Sequence, residues 1–239
     1  MKNVKLGVNI DHIATLRQAR KEKNPDTVEA ARVVLSSGGD MVVMHLRGDR
    51  RHVQESDVER VRQDVKGLLH LEMAATPEME KLALQFQPDS VCIVPELPDE
   101  VTTQGGLKVG GKLDGLEKII RNLSESGIEV SLFVDPEPQF IRNARNLGAD
   151  SIELCTSKYS ESWGKKLQAK ELERLELAAC LVKELNMRLH AGHGLDYYNV
   201  VPVARIEGMD YLNIGFSIIS RAMFVGLKSA VADMKRLIQ

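Results

Sequence analysis

Cysteine is nearly absent from this chain of 239 residues: Cys92, Cys155 and Cys180 stand far apart, with no CxxC pair and an odd total. That excludes a disulfide framework and points to a reducing compartment, so a cytoplasmic protein is expected. No apolar run near the N-terminus has the form of a signal peptide, and none anywhere approaches the length of a membrane span. An excess of one charge is missing too. With 32 basic and 34 acidic side chains the formal net charge is -2, which gives no electrostatic reason to expect nucleic acid or an anionic membrane as partner.

The familiar cofactor signatures are also lacking. The six histidines, at 12, 45, 52, 70, 190 and 193, form no HExxH and no Cys/His set at zinc spacing, so no metal site is expected. There is no Walker loop and no strand-linked GxGxxG, and nothing argues for a nucleotide.

What is present is a repeated alternation. β-branched apolar runs occur at 4–10, 40–46, 68–73, 89–94, 128–134, 150–154, 187–191 and 210–214. Helical patterns separate them, among them 112–125, 137–147 and 217–238, and Gly38, Gly127 and Gly148 are placed to end helices. Alternating strand and helix units imply a parallel sheet covered by helices. Eight units in a chain of this length fit one closed (β/α)8 barrel spanning residues 1–239 better than an open wound sheet, the alternative that periodicity, which does not count closure, leaves open.

The strand ends carry the chemistry. They present Asn9, Asp11 and His12, then His45 and Arg47, then Glu72, then Glu96 with Thr102 beyond it. Asp135, Glu153 with Thr156, His193, and Asn213 with Gly215 complete the set. In a closed barrel these ends meet on one face, where such enzymes build their sites. No lysine stands at any of them, which argues against a Schiff-base aldolase.

Three constellations are informative beyond position. "HLRGDRRH" at 45–52 puts His45 and Arg47 on one face of an extended strand and supplies planar guanidinium donors suited to a phosphate dianion. The plainer alternative pairs its arginines with Asp49 and Asp57 at a helix start. Glu72, inside the apolar "LLHLEMAATPEM", is expected to be partly desolvated and more basic than usual, whereas His70 sits deeper on the strand and is expected to be structural. In "HAGHGL", Gly192 and Gly194 flank His193 and let the backbone approach a ligand, and Gly215 precedes the last helical pattern, where barrels often hold a phosphate. Two longer segments stand out: 95–111, rich in glycine and proline, reads as an active-site loop, either a lid or a ligand-binding loop. The amphipathic segment 157–186, with Trp163, Leu167, Leu172, Leu175, Leu177 and Leu181, reads as a barrel cover or a subunit contact.

Taken in order, "VNIDHIATLRQAR", "HLRGDRRH", "LEMAATPEM", "VPE…VTTQGGL", "AGHGLDYYNV" and "NIGFSIISRA" resemble the pyridoxine 5'-phosphate synthase family from residue 7 to about residue 235. The resemblance implies a (β/α)8 TIM barrel with additional helices and a homo-oligomer, an octamer built from dimers. It implies that 1-deoxy-D-xylulose 5-phosphate condenses with 3-amino-2-oxopropyl phosphate to give pyridoxine 5'-phosphate, inorganic phosphate and water, with no cofactor. By the same resemblance His45 and Glu72 are proton acceptors and His193 a proton donor. Asp11, His12, Arg47, His52 and Thr102 match positions for the deoxyxylulose phosphate, and Asn9, Arg20, Gly194 and Gly215 match positions for the aminoketone phosphate. Two positions depart from the pattern. Phe216 follows Gly215 where the family has histidine, which matters only if an imidazole rather than a backbone N–H meets the phosphate. Gly48 stands where acidic residues occur, removing one negative charge beside the phosphate cradle.

Overall fold

The computed structural model describes residues 3–96, 105–110 and 115–239. The strands β1 (Lys5–Asn9), β2 (Met41–His45), β3 (Leu68–Met73), β4 (Ser90–Ile93), β5 (Glu129–Val134), β6 (Ser151–Cys155), β7 (Arg188–Gly192) and β8 (Met209–Ile214) pair in sequence order, all parallel, and β8 returns to β1. The expected (β/α)8 closed barrel is the fold observed. Around it run α1 (Asp11–Arg20), α2 (Thr27–Ser36), α3 (Glu55–Asp64), α4 (Pro77–Phe86), α5 (Leu116–Glu125), α6 (Pro138–Asn146), α7 (Ser157–Glu161), α8 (Gln168–Glu184), α9 (Val200–Ala204), α10 (Phe216–Val225) and α11 (Leu227–Ile238). Among the described residues no helix is long and apolar enough to cross a membrane.

Local sequence sets the helix ends. The Asp26 side chain accepts from the N–H groups of Val28 and Glu29 to open α2, and Thr76 accepts from Met79 N–H ahead of Pro77 to open α4. Gly38, Gly127 and Gly148 follow their helices with positive φ, as the sequence suggests. The pattern at 217–238 is not one helix: Gly226, at φ 81°, breaks it into α10 and α11. The segment 157–186 forms two helices, and Leu175 and Leu181 of α8 are buried over the barrel while Leu167 and Leu177 remain exposed.

Strand alternation divides the side chains into two environments. Leu6, Val8, Val42, Met44, Leu71, Val91, Leu132, Ile152, Leu189 and Leu212 point outward and join the helices in the main apolar core. The inward positions are largely polar: His70, Ser90, Ser131, Ser151, Glu153, His190 and Asn213 are all buried. A parallel barrel is ordinarily plugged by branched aliphatic layers. Here, small apolar groups only interrupt a polar column, with Cys92, Val94, Phe133 and Cys155 in one cluster and Met41, Val43 and Tyr211 in another.

Candidate active site

Parallel register places the strand-end residues side by side. His45 lies opposite Glu72, and Glu72 opposite Cys92, across β2, β3 and β4. Asn9, at the end of β1, ties the first loop to this row. Its Nδ2 donates to Asp11 Oδ2 at 2.8 Å and to Glu72 Oε2 at 3.4 Å, while Asp11 N–H donates back to Asn9 Oδ1 at 2.9 Å. Asp11 Oδ1 also accepts the backbone N–H of His45 at 2.8 Å. The opening "VNIDH" is therefore a wall of the site rather than a solvated turn, and Asp11 is buried in it.

His45 is bonded at one ring nitrogen and faces Glu72 with the other. Nε2 lies 2.9 Å from Glu96 Oε1, and Nδ1 lies 3.9 Å from Glu72 Oε2. His52 stands edge-on to it, with ring centroids 6.0 Å apart. The His52 Nδ1 accepts Val53 N–H at 2.8 Å, which leaves Nε2 as its outward donor. Burial lowers the pKa of both His12 and His52 below the free imidazole value, against the opposing pull of Asp11.

Glu72 and Glu153 are the two carboxyl groups of the barrel's upper interior. Burial raises Glu72 well above the usual carboxylate range, and the charges of Glu153 and Asp11 push it the same way. Glu153 is raised to about 7 by burial, although Asn213 Nδ2 donates to its Oε2 at 2.7 Å and favours its ionised form. Two neighbouring carboxyl groups in such a setting do not both ionise readily, so the pair retains a proton near neutrality.

On the far side, His193 adopts φ 79°, the left-handed region, between Gly192 and Gly194. A side chain that is not glycine pays about 1–3 kcal/mol for that conformation unless its surroundings enforce it. They do so here: Thr156 Oγ lies 2.8 Å from Gly192 O and 2.6 Å from His193 O, and Thr156 N–H also donates to Gly192 O. The glycines are steric requirements. A Cβ on Gly192 would run into Glu153 and meet Asn213 O at 2.9 Å, and one on Gly194 would run into Ser160.

The β8 end closes the ring. A Cβ on Gly215 would stand 2.9 Å from that of Asn9, and Phe216 packs edge-on against His12 with centroids 5.3 Å apart. Ser217 Oγ donates to Leu195 O, binding the start of α10 to the glycine-flanked turn. Asn9, His12, Gly194, Gly215 and Phe216 thus surround the N-terminus of α10, whose first N–H groups suit an anion.

The remaining expectations divide. Arg47 is buried beside Asp49 (3.5 Å), but Arg50 pairs with Glu55 and Glu78, and Arg51 with Asp49 at 2.6 Å. Much of the "HLRGDRRH" charge is therefore locally paired. Asp57 is no part of that pairing, because it is engaged by Arg17. Arg20 lies exposed in the last turn of α1, about 13 Å along the axis from Asp11. Thr102, with residues 97–104 and 111 of the expected lid, lies outside the described residues; within 105–110, Gly106 N–H donates to Asp135 Oδ1 and Leu107 N–H to Phe133 O.

Glu96, Glu153, Asn213 and Thr156 are recognisable in the sequence as strand-end polar residues, but their partners are not. The signal for Glu153 is parity, since in "SIELC" it shares a face with Ser151 and Cys155. His70 is indeed structural: it is buried, its Nδ1 is 2.6 Å from Ser90 Oγ, and burial lowers it to about 4. Among the described residues, two groups have the proximity to hold a cation, which spacing does not reveal: His70, Cys92 and Glu153 in the core, and Asp11, His45 and Glu72 at the mouth.

A family profile described as "Pyridoxal phosphate biosynthesis protein PdxJ" matches residues 6–239. Curated relatives named "Pyridoxine 5'-phosphate synthase" include one from Elusimicrobium minutum (strain Pei191), 50% identical over 99% of this chain and 98% of its own length. Another, from Synechococcus sp. (strain JA-2-3B'a(2-13)), is 52% identical over 97% of each. Among solved structures, a 3-hexulose-6-phosphate synthase superposes with a TM-score of 0.68 at 14% identity, covering 99% of this chain and 100% of that one. At that identity the likeness is one of fold alone.

Proposed function

The chain belongs to the PdxJ family, the pyridoxine 5'-phosphate synthases, and on that premise we propose how its strand-end cavity performs the condensation of 1-deoxy-D-xylulose 5-phosphate with 3-amino-2-oxopropyl phosphate. The observation that carries the reading is the row in which His45 and Glu72 lie in register, with Asn9 and Asp11 bonded into it.

The reaction joins an amine to a ketone, expels water and phosphate, and moves protons at carbon. In the form in which the proton retained by the pair sits on Glu153, Glu72 is the carboxylate, and with a basicity raised by burial and by its carboxylate neighbours it takes a proton from the carbon skeleton. Because it shares a raised proton affinity with Glu153, the acid formed is stable long enough to return the proton. His45 serves as a second acceptor across from Glu72, and His193, projected by its left-handed turn, donates to the departing oxygen. The start of α10 with Gly194 and Gly215 receives one phosphate, and Arg47, His12 and His52 the other. Fixing both phosphates aligns the amine against the carbonyl, which accelerates the step through orientation.

The proposal extends to assembly and setting. Met223 and Phe224 expose apolar surface on α10 that suits association of copies into dimers and then an octamer. The free thiols Cys92, Cys155 and Cys180 fit a cytoplasmic location.

The test mixes purified protein with both substrates and follows pyridoxine 5'-phosphate and inorganic phosphate together. Equimolar release is expected, with turnover suppressed about 100-fold or more in Glu72→Gln and with substrate binding retained. Full turnover in that variant would remove Glu72 from the role of base.

A further inference from the structure

We infer that Glu96 is a positioning residue for His45, fixing the ring in the tautomer whose unprotonated Nδ1 faces Glu72. The inference rests on the reading of the cavity given above and adds to it a residue outside the set that the family resemblance supplies.

The geometry is a chain of three groups. Glu96 directly follows Pro95 beyond the end of β4, and its two oxygens are committed to different partners. Oε1 meets His45 Nε2 at 2.9 Å, and Oε2 accepts the backbone N–H of Gly48 at 3.0 Å. Burial alone would raise the Glu96 carboxyl, but the His45 ring and the Gly48 N–H outweigh it and hold the group below its ordinary value. Glu96 is therefore a carboxylate, and a carboxylate only accepts. Its partner nitrogen must carry the hydrogen. A neutral His45 then has its proton on Nε2 and its lone pair on Nδ1, the nitrogen 3.9 Å from Glu72 Oε2.

Other contacts keep the residue from moving away from this arrangement. His45 N–H is bonded to Asp11, Leu46 N–H to Glu72 O, and the His52 ring lies against the imidazole. His45 is 6% exposed. Without Glu96, either ring nitrogen is free to hold the proton, and in one of the two forms a hydrogen on Nδ1 blocks the lone pair that faces the cavity. The same carboxylate also braces the turn that carries Arg47, because Gly48 is the residue next to it.

The test reads the tautomer without relying on turnover. Protein labelled with ¹⁵N-histidine is examined by long-range ¹H–¹⁵N correlation at about pH 9, well above the free imidazole pKa of about 6.5. The His45 signals are assigned as those lost in His45→Asn. The expected wild-type spectrum has a protonated Nε2 and an unprotonated Nδ1 for His45; Glu96→Ala is expected to show both tautomers in exchange. In Glu96→Gln the amide oxygen can accept from Nε2–H only by turning its NH2 toward Gly48 N–H, so partial retention is expected. Kinetically, kcat is expected to fall about 10- to 100-fold in Glu96→Ala with KM for 3-amino-2-oxopropyl phosphate within about threefold, any rise in KM falling on the substrate whose phosphate Arg47 receives, and kcat is expected to recover in part in Glu96→Gln. A wild-type His45 protonated at Nδ1, or a Glu96→Ala spectrum identical to wild type, overturns the inference even if the enzyme is fully active. Correct tautomers in a protein that makes no pyridoxine 5'-phosphate would instead overturn the functional reading and leave the positioning intact.

Discussion

Asp57 offers a measurable link between the frame of the barrel and its active site. The carboxylate, 2% exposed, accepts four hydrogen bonds: Arg17 Nη1 and Nη2 at 2.5 and 2.6 Å, Thr27 Oγ at 3.0 Å and Gln54 N–H at 2.8 Å. It therefore joins α1, α2 and the start of α3. In Asp57→Ala the Arg17 guanidinium, itself buried, is left without its counter-charge; breaking a buried pair from one side costs about 3–5 kcal/mol. The orphaned Thr27 hydroxyl and Gln54 N–H each add on the order of 1 kcal/mol, offset where the site relaxes. We expect a net loss of about 4 kcal/mol, which for a chain of this size lowers Tm by roughly 8 °C. Urea unfolding followed by far-UV circular dichroism measures it. The double variant Arg17→Met/Asp57→Leu, which replaces the pair with apolar groups, should recover most of the loss. Because α1 begins at Asp11 and His12, KM should rise in Asp57→Ala at temperatures where the protein is still folded. A loss below about 1 kcal/mol, or a double variant less stable than the single one, would refute the argument that the buried charge dominates.

Three further outcomes are expected. His70 is buried and neutral with a pKa of about 4, so below pH ~6.5 the unfolded chain takes up a proton that the native state refuses. Stability from this residue is complete above pH ~6.5 and is lost as pH falls toward 4, amounting to about 2 kcal/mol at pH ~5. Chemical denaturation of His70→Asn at pH ~7 and ~5 should show a smaller acid sensitivity than wild type; Glu153, raised to about 7, acts with the opposite sign, and because its Oε2 lies 3.9 Å from His70 Nε2 the comparison reads the two together. Gly194→Ala combines φ 83° with a Cβ driven into Ser160, and isothermal titration with the aminoketone phosphate should show affinity reduced about tenfold or more; unchanged affinity would separate this turn from the phosphate. Phe216 is 69% exposed, so Phe216→His should change KM by less than about threefold if backbone N–H groups hold the phosphate, as steady-state kinetics can read.

The barrel is legible in the sequence because each strand's apolar face must meet a helix, which writes an alternation such as Leu6 and Val8, or Leu69 and Leu71, directly into the chain. Glu72 is legible for a similar reason: a carboxylate in an apolar run has few solvated places to go. The partners of these residues are not. Glu96 reaches His45 across 51 positions and Asn213 reaches Glu153 across 60, and no local pattern encodes a register that exists only after closure. The run at 45–52 misleads in the other direction. Its charges invite a single phosphate cradle, yet Arg50 and Arg51 are satisfied by Glu55, Glu78 and Asp49, and Asp57 is claimed by Arg17 on another helix. Periodicity likewise ran through Gly226, because a break in one residue's φ leaves the hydrophobic spacing on either side intact.

The polar column inside the barrel separates two kinds of mutational freedom. Folding energy resides mainly in the layer between strands and helices, where Leu6, Met44, Leu71 and Leu132 lie. Ser90, Ser131, Ser151 and His190, on the opposite face of the same strands, contribute little to that layer but stand beneath Glu72 and Glu153. Exchanges among small polar residues there alter the field felt by the carboxyl pair while leaving the packing that folds the chain untouched. Proton affinity at the site can therefore drift, or be engineered, without repacking the apolar layer, at a stability cost set only by the shift in proton affinity itself.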